Sequence, residues 1–151
     1  MLNSPLLVRS KKRSSAGSAL SRRLCFLGVR WTFTATPKKL YIEPRPGGGF
    51  YEIFNDAGEG ALGATVTYAE RAKRLRFTGP LVLSGKVADF AVTYDLAPDP
   101  DGTRFHLTVN IAGQLPDGVE KIVDSVWHHM LVEQLKPYLE SQEYKQRKGP
   151  R

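Results

Sequence analysis

After residue 38 the chain reads as short strand-like runs separated by turn formers, and the period then lengthens to that of a helix. Leu40-Tyr41-Ile42-Glu43 is extended and ends at Pro44-Arg45-Pro46-Gly47-Gly48-Gly49, a turn on composition alone. Phe50 to Phe54 follows, closed by Asn55-Asp56-Ala57-Gly58, a hairpin-type connection. The run from Leu62 to Tyr68 contains Thr65-Val66-Thr67, whose branched side chains favour a pleated surface. Arg74-Leu75-Arg76-Phe77-Thr78 alternates charge with apolar bulk, so one face is wet and the other dry. Two longer runs come next. Ala88, Phe90, Val92, Tyr94 and Leu96 share one face of the first, and Phe105, Leu107, Val109 and Ile111 share one face of the second. The spacing predicts an antiparallel meander of about six strands.

Beyond residue 117 the apolar positions fall at helical spacing. Val119, Ile122, Val123, Val126, Met130 and Leu131 form a stripe flanked by Trp127 and Leu135. Asp117 followed three residues later by Glu120 predicts a capped start. The helix is expected from Gly118 to about Tyr144, roughly 40 Å at 1.5 Å per residue. Pro137 inside it should kink it or loosen its last turns.

Composition fits one ordinary domain: 151 residues, 41% hydrophobic and 25% charged. No run approaches the ~20 consecutive apolar residues of a membrane span. A single cysteine, Cys25, excludes an internal disulfide framework and any multi-cysteine zinc site. The net charge of +7 is concentrated: the first thirty residues hold seven Lys or Arg and no acid, while the remainder balances fifteen against fifteen. Residues 1–30 are therefore read as a basic extension, disordered or misassigned, ahead of a domain at 31–144 and a polar tail at 145–151. Residues 1–23 are too poor in apolar surface to offset the entropy of ordering. Their Arg and Ser content also fits an organellar targeting segment. No aromatic precedes Phe26 for base stacking, so nucleic acid is not expected as a partner.

Chemistry is sparse. Gly58-Glu59-Gly60-Ala61-Leu62-Gly63 spells G-x-G-x-x-G, yet those glycines feed a strand and not the helix that a dinucleotide site requires. His128 and His129 are adjacent on a helix and point ~100° apart, which prevents them from gripping one metal together. Glu43, Glu52, Asp89 and Asp95 alternate with apolar residues and are read as a solvated sheet face. No nucleophile, base and orienter stand at recognisable spacing, so no catalytic residue, metal or cofactor is assigned. The aromatics Phe50, Tyr51, Phe54, Phe77, Phe90, Tyr94, Phe105 and Trp127 are many for one sheet and one helix. They either fill a core or line an apolar cavity.

The segment from Leu40 to Phe50, with its acidic residue, Arg-Pro-Gly-Gly turn and aromatic strand opening, resembles the START-like (SRPBCC) superfamily. Within it the chain is similar to the C-terminal domain of the activator of heat-shock-protein-90 ATPase and its bacterial homologues. Gly63–Tyr68, Lys73–Thr78, Gly102–Phe105 and the span from Gly118 to Glu140 continue the likeness, which covers about Lys38–Glu140. The resemblance implies an α+β helix-grip fold, an antiparallel sheet around a long C-terminal helix. That family opens with a strand and two short helices ending near a Trp, which Trp31 matches; residues 1–30 do not read that way, so those elements are expected to be atypical or missing.

The resemblance also implies an apolar small-molecule ligand or a chaperone partner, and related branches include polyketide cyclases. The resulting expectation is a cytoplasmic, nonenzymatic ligand-binding protein with no membrane association. Alternation and helical phase place Ile42, Phe77, Phe90, Tyr94, Leu107, Trp127 and Met130 as the lining residues. Tyr94 is the inward polar group that an enzymatic reading would need.

Overall fold

The computed structural model describes residues 2–8, 33–34 and 36–141. Seven strands, β1 (Leu2–Val8), β2 (Lys39–Ile42), β3 (Gly49–Ile53), β4 (Gly60–Glu70), β5 (Arg74–Gly79), β6 (Ala88–Asp99) and β7 (Gly102–Gly113), form one sheet. All neighbours are antiparallel, in the order β1-β7-β6-β5-β4-β3-β2. Strands β2 to β7 are the expected meander. The turn before β3 uses Gly47 at φ +78°, where a side chain would be strained. Asn55 holds the next turn, its Oδ1 accepting from the Ala57 and Glu59 amides at 3.1 and 3.3 Å.

Strand β1 lies in the opening segment, whose strand and helices are expected to be atypical or missing, and adds a seventh strand at the edge of β7. Leu2 lies opposite Val109 and Val8 opposite Thr103. The pairing is made by backbone groups along the free edge of β7, which composition does not report. The expected extension between β1 and residue 33 and the tail at 145–151 lie outside the described residues, as do Cys25 and Trp31.

The inner face of the sheet is dry. Phe90, Val92 and Tyr94 of β6 and Phe105, Leu107 and Val109 of β7 are each no more than 2% exposed. They pack with Val66, Leu75 and Phe77 from β4 and β5. The outer face is polar, with Arg74 on Asp95 at 2.5 Å and Arg76 on Thr93 at 3.1 Å directly across the β5–β6 pair. Register shifts at Phe50/Tyr51 and Val66/Tyr68 mark bulges, which bend a strand and increase its twist.

Three helical segments run end to end against the inner face: α1 (Val119–His128), a π-helical stretch (His129–Leu135) and α2 (Lys136–Ser141). Gly118, at φ +72°, forms the entry, and no side chain caps it, so Asp117 does not play the expected capping role. The buried spine is Val123, Trp127, Leu131, Leu135 and Leu139, one residue in every four. In a regular α-helix a four-residue step drifts by about 40° per turn. The looser π winding takes up that drift and keeps the last three residues on the core side. Pro137 supplies a cause, because its ring crowds the carbonyl of residue 133 in α geometry. Ile122, expected in the apolar stripe, is 52% exposed, whereas Val123 is fully covered.

Candidate functional site

Between the helix and the β2–β5 half of the sheet lies a cleft. Its walls are Leu40 and Ile42 of β2, Phe50 and Glu52 of β3, Gly63 of β4, Phe77 of β5 and Tyr94 of β6. Leu81 and Val82 of the single-turn 3₁₀ helix Leu81–Leu83 close one side, Val126, Trp127 and Met130 form the roof, and Phe33 packs at the same opening. The free volume is about 50 Å³, enough for a few waters and well short of the ~300–1,000 Å³ of typical ligand pockets. Leu81 adopts the left-handed region at φ +50° and is buried, a strained backbone held by its surroundings at the cleft wall.

One wall carries a buried carboxylate. Glu52 is 3% exposed. Its Oε2 accepts from the Phe33 amide at 2.8 Å; its Oε1 accepts from the Thr34 amide at 2.9 Å and the Thr34 hydroxyl at 3.0 Å. Both oxygens are thus engaged by the segment that brings Phe33 to the cleft, and a buried carboxylate needs such donors to offset lost hydration. This corrects the reading of Glu52 as part of a solvated sheet face. In β3, apolar residues occupy both faces, so alternation alone does not say which way Glu52 points; its register partner Leu40 and near neighbour Ile42 do.

The opposite wall is aromatic and centred on Tyr94. Its ring lies edge-on to Phe77 at 5.4 Å and to Trp127 at 5.9 Å, and tilted against Phe105 at 5.2 Å. Phe50 extends the row at 6.5 Å from Phe77. Burial pushes the Tyr94 hydroxyl well above the usual phenol range, with no offsetting hydrogen bond or charge among the described residues. The Trp127 indole Nε1–H is likewise buried and has no hydrogen-bond partner among the described residues.

Residues 27–140 match the model of the family "Activator of Hsp90 ATPase homolog 1-like protein". The chain belongs to that family. Solved structures share the fold: a protein from Rhodobacter sphaeroides is 19% identical with a TM-score of 0.63, covering 92% of this chain and 91% of its own. A protein from Chromobacterium violaceum is 18% identical with a TM-score of 0.56, over 91% and 96% of the two chains. One from Mesorhizobium loti is 17% identical with a TM-score of 0.57, over 94% and 98%. No curated protein matches the chain. These likenesses establish the helix-grip α+β architecture of the Hsp90-activator-like family and its START-like kinship, in line with the resemblance read from Leu40–Phe50 onward.

Within this family fold, Ile42, Phe77, Tyr94, Trp127 and Met130 of the seven expected lining residues meet in the cleft. Phe90 and Leu107 do not. They are fully packed at 0% and 2% exposure on the same face of the sheet, away from the cleft lining. Phe33, Leu40, Glu52, Gly63, Leu81, Val82 and Val126 line it beyond the expected set, as does Phe50, one of the aromatics that the sequence leaves open between core and cavity.

His129 reaches Glu133, four residues on, at 2.6 Å, and the π winding brings His128, five residues away, to 3.6 Å from the same carboxylate. The His129 hydrogen bond, aided by both histidine charges, holds the Glu133 carboxyl below its usual range. Among the described residues no group of three His, Cys, Asp or Glu is arranged to hold a metal ion. No helix among them is long and apolar enough to cross a membrane.

Proposed function

We propose that this protein binds a hydrophobic or aromatic small molecule in the cleft between the sheet and the C-terminal helix, without catalysis. The observation that carries the reading is the make-up of that cleft: largely apolar walls from five strands and the helix, interrupted by one carboxylate that is already engaged. With about 50 Å³ free, a guest enters by displacing Phe33 or tilting the helix at its loosely wound π stretch. Titration of Trp127 emission with naphthalene, in a chain whose Trp31 is replaced by Phe, tests it. Saturable quenching or a shift is expected; a flat response across a broad panel of apolar compounds would count against the proposal.

The family description supports a second reading, stimulation of an Hsp90 ATPase. It requires a saturable complex with the chaperone and a raised ATPase rate; no complex at tens of micromolar would remove it. A cyclase or dehydratase reading has less support, since Glu52 spends both oxygens on residues 33–34 and leaves Tyr94 as the remaining acid-base group in the cleft. A cytoplasmic location forms part of the leading proposal and is tested by cell fractionation.

A further inference from the structure

Resting on the cleft-binding reading, the polar groups of the cleft define what kind of polar atom its guest carries. Glu52 accepts three hydrogen bonds from Phe33 and Thr34, so the carboxylate has no demand for a donor on a ligand. The unengaged polar groups are of the opposite type. Trp127 is 7% exposed and its indole N–H, which can only donate, has no partner among the described residues. Tyr94 is 2% exposed, carries a hydroxyl able to donate, and touches Trp127 edge-on at 5.9 Å. A buried donor without a partner is costly, and a guest that satisfies it recovers that cost. A protonated amine, which can only donate, cannot do so at Trp127. An anion can, but among the described residues no Lys, Arg or His lines the cleft, and Glu52 already occupies it.

We propose that the ligand is a neutral, largely aromatic molecule bearing a carbonyl-type acceptor, a ketone, quinone, ester or amide oxygen, received by the Trp127 Nε1–H and the Tyr94 hydroxyl.

The test compares acetylnaphthalene with isopropenylnaphthalene, which replaces the carbonyl oxygen by a methylene of similar shape, and with naphthoate. Binding to the full chain is followed by calorimetry. The ketone is expected to bind at least about tenfold more tightly than the alkene, with naphthoate weaker than the ketone. Tyr94→Phe, which keeps the ring and removes only the hydroxyl, is expected to cost the ketone about fivefold or more and to leave the alkene unchanged, whereas Trp127→Phe, which removes the indole donor and part of the ring, is expected to lower the ketone-over-alkene preference by about fivefold or more. Equal binding of ketone and alkene, tighter binding of naphthoate, or a ketone preference that survives both substitutions would overturn the inference alone. Binding of neither neutral probe would remove the cleft-binding reading and the inference with it. Circular dichroism of both variants separates loss of binding from loss of fold, and either folded variant suffices for the comparison.

Discussion

Replacing Glu52 by Gln should release the segment that closes the cleft. In the native chain Oε2 takes the Phe33 amide at 2.8 Å, and Oε1 takes both the amide and the hydroxyl of Thr34 at 2.9 and 3.0 Å. Glutamine retains one oxygen, which can serve Thr34, but turns an NH₂ toward the Phe33 N–H and sets donor against donor. One bond to a charged group is lost, at about 1.5–3 kcal/mol, and the other two fall to neutral strength. Residues 33–34 are only half-buried, so the freed amide can turn to water, which favours the lower end. The expected net loss is about 2 kcal/mol, or roughly 4–8 °C in Tm for a chain of this size. Urea unfolding gives the first number. Amide exchange at Phe33 and Thr34 gives local opening, expected to quicken by tenfold or more while the β6–β7 amides slow or speed only with global stability. A Glu52→Gln chain as stable as the parent within about 0.5 kcal/mol, with unchanged exchange at Thr34, would refute the view that this carboxylate anchors the segment.

Leu135, 1% exposed at the end of the π stretch, should cost about 2–5 kcal/mol when cut to Ala, as read by denaturant midpoint; a surface-like cost would mean the loose winding does not serve to bury it. Gly63→Ala places a Cβ in ordinary contact with Phe50 and Leu81 at 3.5 and 3.6 Å, so the fold should hold while affinity for a naphthalene-sized probe falls about tenfold by calorimetry. Tyr94 stays neutral in the native state above its unfolded value, so its contribution is fully present below about pH 10 and is lost as pH rises further. Tyr94→Phe should flatten the alkaline limb of the stability–pH curve, and an unchanged slope would contradict its burial.

Much of the sheet is legible in the sequence because alternation in β5, β6 and β7 is strict: Phe77, Tyr94, Phe105 and Leu107 all fall on the inner face that the period assigns them. Where the period fails, so does the reading. Strand β3 is apolar on both sides and bulged at Phe50/Tyr51, which hides the inward turn of Glu52. Face does not give position along the strand: alternation puts Phe90 and Leu107 on the same side as the cleft lining, and they sit in the packed part of the core. The α period puts Ile122 in the apolar stripe, yet the covered side of α1 is that of Val123 and Trp127; beyond the π stretch burial continues every fourth residue to Leu139, which an α phase does not reach. Strand β1 pairs through its backbone with the edge of β7, an interaction that leaves no trace in residue type. The unpartnered indole of Trp127 is a property of packing alone.

The most direct measurement is chemical-shift mapping of the side chains during titration with acetylnaphthalene. Occupation of the cleft should move Ile42 and Met130 methyls and the Phe77, Tyr94 and Trp127 ring signals, the indole N–H among them, while Val109 and Leu139 in the surrounding core stay still. Shifts confined to the outer face of the sheet, or none at saturating probe, would contradict a guest beneath the helix.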